Sequence, residues 1–239
     1  MRSKIAVIML ALSLSAAMLW AVPANADTIY DTTPSWNGSN SISSYGTPET
    51  TTYGETFIAP ADNVFQDFTF YINPSGTLYS KAYVYAWSGG LSYGQGPGKA
   101  TGSALYASPS SIVLAGNNGV FQPVTVNTGG ITLTPGDAYV MFLTLSNPSD
   151  YAASNGNSSW GTVAHPSPND GGGSFVWDNN GNNFSALTSS AWSTFENFGD
   201  LSFKAVFTRS SVPEPSTLIL TLMGLLSLAI VAKKRFAKT

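Results

Sequence analysis

Leu78-Tyr79-Ser80-Lys81-Ala82-Tyr83-Val84-Tyr85-Ala86-Trp87 is the stretch that decides the fold class. Its period is two: Lys81, Tyr83, Tyr85 and Trp87 fall on one side of an extended chain, and Leu78, Ala82, Val84 and Ala86 on the other. The small apolar side is expected to face the core, leaving the Tyr/Trp side partly exposed.

The same pattern recurs on both sides of this strand. Before it, residues 64–72 place Val64, Phe68, Phe70 and Ile72 on one face, interrupted only by Gln66, with Asp67 and Thr69 on the other, and Asn73-Pro74-Ser75-Gly76 is a turn by composition. After it, six glycines and Pro97 within residues 88–102 predict a long loop. Short strands are expected at 104–107, 119–126 and 131–133, and the turn Thr134-Pro135-Gly136-Asp137 leads into residues 138–145, apolar on both faces and therefore central. Residues 147–183 read as loop, with Trp160, Phe175 and Trp177 embedded in Gly, Asn, Ser and Asp. Residues 201–208 alternate again, Leu201, Phe203, Ala205 and Phe207 inward and Ser202, Lys204 and Thr208 outward. Residues 27–52 are polar, with one short strand near 42–45.

Helical periodicity is absent between Asp27 and Arg209, so no crossover helices are available for a parallel α/β sheet. The expected class is all-β: an antiparallel, jelly-roll-like β-sandwich. Without cysteine it must rely on its core rather than on disulfides.

The ends of the chain belong to a different kind of reading. Arg2 and Lys4 precede an apolar run over residues 5–22, and Ala24-Asn25-Ala26 supplies a small-x-small cleavage pattern, so residues 1–26 are expected to be a secretory signal peptide. At the other end, 18 uncharged residues run from Pro215 to Ala232, just long enough for one transmembrane helix over about 215–232. Lys233, Lys234 and Arg235 follow directly as a cytoplasmic basic stop, which leaves residues 27–209 as an exported ectodomain.

Pro213 and Pro215 each remove a backbone donor and bias the residue before them to extended conformations, holding Glu214 on a stiff, accessible segment. The series Val212-Pro213-Glu214-Pro215, apolar helix and basic cluster resembles the PEP-CTERM sorting signal of Gram-negative bacteria over residues 212–239. Related tails occur on some proteins labelled ice-binding. The resemblance implies processing by exosortase, an inner-membrane-tethered precursor released to the cell surface or extracellular space, and an association with exopolysaccharide. The middle of the chain is also similar to exported bacterial β-domains with interchangeable C-terminal anchors. That likeness rests on Gly54-Glu55-Thr56-Phe57, residues 82–87, residues 133–140 and residues 200–207, and it transfers no catalytic residue.

The ectodomain carries 12 acidic residues against Lys81, Lys99, Lys204 and Arg209, a net charge of −8, which argues against nucleic-acid binding. An enzyme is not expected either. His165, in a Pro-rich loop, is the one histidine, so His-based triads and metal sites reduce to a single candidate base. The carboxylate pairs Glu196/Asp200 and Glu49/Glu55 read as solvated loop acids rather than as a glycosidase pair. Asp178-Asn179-Asn180-Gly181-Asn182-Asn183 fails the EF-hand pattern. A calcium site near Asp170 and Asp178 stands as the alternative to an Asx-rich turn, with no other cofactor expected.

The function expected is a non-enzymatic surface or matrix protein. The alternative is a lectin-like carbohydrate-binding module, because exposed aromatic rings beside polar acceptors suit the apolar faces of sugars. Its candidates are Trp87, Tyr93, Trp160 and Trp177. A remote alternative is ice binding through Thr125, Thr128, Thr132 and Thr134, which show no sustained repeat.

Overall fold

The structure, a computed structural model, describes residues 27–91, 98–164, 167–194, 199–209 and 224. The expected signal peptide, the Val212–Pro215 box and the basic stop lie outside the described residues. Among those residues no helix is long and apolar enough to cross a membrane.

The strands in chain order are β1 (Thr28–Asp31), β2 (Ser41–Thr47), β3 (Thr52–Ile58), β4 (Val64–Pro74), β5 (Thr77–Ser88), β6 (Lys99–Ala107) and β7 (Ile112–Ala115). They continue with β8 (Gln122–Thr132), β9 (Ala138–Thr144), β10 (Gly156–Val163), β11 (Phe175–Asp178), β12 (Ser193–Thr194), β13 (Asp200–Leu201) and β14 (Phe203–Thr208). Among the described residues two short α-helices, α1 (Pro148–Ala153) and α2 (Ala186–Ser189), and a 3-10 turn at Thr33–Ser35 sit in connections. One sheet runs β1-β14-β4-β10-β13, with β2 on β10 and β8 on β4; the other runs β12-β11-β3-β9-β5-β6, with β7 on β5. All the strand pairings are antiparallel. The all-β sandwich expected from the alternating pattern is therefore what forms.

Between the sheets lies an aromatic core. Phe65, Phe68, Phe70 and Ile72 of β4 meet Phe203, Ala205 and Phe207 of β14 and Trp160 of β10, and Tyr53 and Phe57 of β3 close on them from the opposite sheet. Each such ring removed from water contributes about 1.5–3 kcal/mol before the cost of ordering it. The inward set expected on β14 is the one observed. On β4 it differs by one residue: Phe65 takes the place expected for Val64. The pairing with β8 slips between Phe65 and Asp67, a bulge at Gln66 that lets Phe65 and Phe68 both face the core. Thr128 closes the bulge by donating its hydroxyl to the carbonyls of Phe65 and Gln66.

β9 is central, as its two apolar faces required, and it has a second layer to cover. Its Tyr139, Met141 and Leu143 face the inter-sheet core, while Val140 and Phe142 face outward into a separate cluster with Tyr83, Tyr85, Trp87, Val176, Leu187 and Trp192. The Tyr/Trp side of β5 is consequently buried, which corrects the expectation of partial exposure. The cover comes from residues 184–192, which fold back over the sheet, and it is tied down by backbone donation from Trp192 to the Gly98 carbonyl at 2.7 Å. A strand's alternation shows which residues share a face; it does not show whether a distant segment returns to cover that face.

Candidate functional site

Where the two sheets part at one edge, a cleft of about 260 Å³ opens between β2 of one sheet and β3 and β11 of the other. Ser41, Ser43 and Ser44 of β2 line it, together with Thr50, Tyr53 and Trp177. The register of β3 and β11 puts Trp177 directly beside Tyr53. Tyr53 is fixed by ring contacts to Tyr45, Trp160 and Phe175, with centroids 5.3, 5.5 and 5.0 Å away, and its hydroxyl donates to the Ser43 carbonyl. Burial, with Glu49 nearby, raises the Tyr53 pKa well above its ordinary value, so the phenol is neutral.

The β2 side of the cleft folds back on itself. Ser44 has φ +81°, a left-handed conformation uncommon for a residue with a side chain. It is held there because its carbonyl accepts from Thr50 N–H at 3.0 Å, while Gly46 N–H donates to the Thr50 carbonyl at 2.8 Å. The remaining wall is steadied by Asn180, whose Oδ1 accepts from the hydroxyls of Thr51 and Thr52 at 2.8 and 3.0 Å. The Asn-rich stretch after Trp177 makes a turn, with Asn183 N–H donating to the Asn180 carbonyl at 3.0 Å and Asn180 Nδ2 donating to the Asn183 carbonyl.

Of the four aromatic residues expected to form a sugar platform, Trp177 is the one found on this cleft. Trp160 has no exposed surface: its ring lies between Tyr45, Tyr53 and Phe70, and its indole N–H donates to Ser158 Oγ at 3.2 Å. Trp87 is 6% exposed, its ring set edge-on to Trp192 and its N–H given to the Gly90 carbonyl. Neither ring offers a face to a ligand, so the platform drawn from all four is not assembled. Tyr93 and His165 lie outside the described residues. Among the threonines, Thr125 and Thr132 are exposed and Thr128 is buried in the β4 bulge, which does not make a single flat array.

The acids are arranged differently from the sequence reading. Glu49 is exposed and Glu196 lies outside the described residues. Glu55 and Asp200, both expected in solvated loops, are each 0% exposed and come together across the sandwich. Leu201 N–H donates to Glu55 Oε2 at 2.8 Å, and Glu55 Oε1 has no hydrogen-bond partner among the described residues. Burial first, and then the charges of Asp200 and Asp170, push the Glu55 carboxyl well above the usual carboxylate range. A signal was available: Tyr53, Glu55 and Phe57 share one strand face, and both aromatic neighbours are core residues. Both carboxyls are sealed from solvent and lie between the two sheets.

Asp178 is pushed up to about 6 by burial, opposed by a hydrogen bond from Asn179 N–H. Asp170 caps its own turn, accepting from Gly172 N–H at 2.8 Å. Among the described residues no group of three or more His, Cys, Asp or Glu side chains gathers as a metal site.

No protein-family model matches the chain, no curated protein matches it, and no solved structure matches it.

Proposed function

We propose that the chain is an exported, non-enzymatic cell-surface or extracellular-matrix protein, sorted through a PEP-CTERM tail that exosortase processes and associated with exopolysaccharide. The observation that carries this reading is the order of its C-terminus: Val212-Pro213-Glu214-Pro215, 18 uncharged residues and then Lys233-Lys234-Arg235. The position of the ectodomain supports it. The last strand ends at Thr208, and Arg209 is paired with Asp62 at 2.7 Å, so the sandwich finishes three residues before the box. The strand connections are read here as jelly-roll-like. Exchanging Glu214 for Ala in a host with exosortase tests the sorting: the variant is expected to stay as an unprocessed, membrane-held precursor. Maturation and release like the unaltered chain would leave an ordinary membrane anchor.

The second reading is carbohydrate binding, and the observation that favours it is the edge cleft, where an aromatic ring and several hydroxyls converge. It is compatible with the first, since a matrix protein needs something to hold.

A further inference from the structure

Resting on the carbohydrate-binding reading, we propose that the edge cleft takes a single neutral sugar ring, its apolar face against Trp177 and its hydroxyls on Ser41, Ser43 and Ser44. Size limits the ligand first. About 260 Å³ lies below the roughly 300–1,000 Å³ of sites for drug-sized molecules, so the cleft has room for about one ring. Charge limits it next. Among the described residues none of the lining side chains is charged, exposed Glu49 directly precedes lining residue Thr50, and the ectodomain carries a net −8, all unfavourable to a uronate.

Polar chemistry then matches. The hydroxyls of Ser41, Ser43 and Ser44 make no hydrogen bond with any described residue, and each can donate once and accept twice, as a sugar hydroxyl can. The walls are preformed, since β2 belongs to one sheet and β3 and β11 to the other. The left-handed Ser44 backbone, held by Thr50, is the kind of strain that clusters at ligand clamps.

The test is calorimetry and saturation-transfer NMR on the full chain in a detergent without sugar headgroups. The probes are D-glucose, D-galactose, D-mannose and D-xylose, with D-glucuronate as the charged counterpart. At least one neutral sugar is expected to bind, with glucuronate about tenfold weaker or worse. Trp177→Ala is expected to weaken that sugar about tenfold, the worth of one good aromatic contact. Because Trp177 also packs on the core, Ser43→Tyr at the exposed rim serves as the second variant. It is expected to obstruct the cleft and abolish binding while the melting temperature stays unchanged. Sugar binding unaffected by both variants would overturn the cleft assignment and leave carbohydrate binding standing elsewhere on the surface. Glucuronate binding as well as the neutral sugars would overturn the neutral class. No binding of any neutral sugar would overturn both the cleft and the carbohydrate reading, and the Glu214 experiment would still decide the sorting.

Discussion

The backbone N–H of Leu201 donates to Glu55 Oε2 at 2.8 Å, and by that one bond β13 of one sheet is tied to β3 of the other. A carboxyl does this in a place with no exposed surface and with Asp200 as its neighbour. Burial and the like charge of Asp200 therefore favour a protonated Glu55, against the Leu201 N–H, which by itself favours the ionised form.

That protonation sets a pH dependence. The Glu55 pKa is raised in the folded chain above its ordinary 4.5, so its contribution to stability is complete below about pH 4.5 and is lost as pH rises through the raised value. Across that window stability should fall by about 1.4 kcal/mol per pH unit from this group. Glu55→Gln keeps an oxygen for Leu201 and cannot ionise. It should match the unaltered chain near pH 4 and exceed it at pH 7–8. Urea midpoints measured from pH 4 to 8 check this, and two parallel curves would mean that Glu55 does not carry the effect.

Trp160 is where the largest core loss is expected. Tyr45, Tyr53 and Phe70 contact its ring at centroid distances of 4.9, 5.5 and 5.0 Å, and no part of it reaches solvent. Trp160→Ala leaves a cavity that rigid neighbours cannot fill, and should cost about 3–5 kcal/mol in denaturant unfolding. A loss under about 1 kcal/mol would place the ring at the surface, as the platform expectation had it.

Trp160 also shows what the sequence could not convey. Where apolar residues alternate over several pairs, as in Leu201–Phe207 and Leu78–Trp87, strand and inward face were legible, and the doubly apolar stretch at 138–145 correctly gave a central strand. β10 escaped because it is written in Gly, Asn, Ser, Trp and Thr, the letters that also write loops, and β3 and β11 because their apolar residues, Tyr53 and Phe57 in one and Phe175, Val176 and Trp177 in the other, are too few to show a period. In β10, Ser158 and Trp160 satisfy each other and Ser158 also reaches the Tyr45 carbonyl, so polar residues lie inside without penalty. The cleft was legible only through Trp177. Its other walls come from β2 and β3, which residue spacing alone does not bring together.

Gly173 separates packing from backbone freedom. A Cβ built there falls on the carbonyl oxygen of Thr56, the residue whose N–H donates to the Ser174 carbonyl at 3.0 Å where β11 joins β3. Gly173→Ala must push the strands apart and should cost about 3 kcal/mol. Gly102→Ala is the comparison: φ is +73° with nothing within 4 Å, so only conformational strain is added, about 1–2 kcal/mol. Thermal or urea unfolding of the pair checks the order. The reverse order would mean that β11 yields easily.

Trp192 holds the outer cover rather than the inter-sheet core. Its ring stands edge-on to Trp87 and Phe142 at centroid distances of 5.5 and 5.1 Å, its indole N–H donates to the Leu187 carbonyl at 2.9 Å, and its backbone N–H donates to Gly98. Trp192→Ala removes a ring that joins residues 184–192 to β5 and β9, but it touches nothing on β4 or β14. Hydrogen exchange should therefore accelerate at the amides of 187–194 and at Ala100, by opening of a local unit, while β4 and β14 keep most of their protection. Equal acceleration everywhere would show that cover and core unfold as one. In that case the second cluster would be part of the same cooperative core.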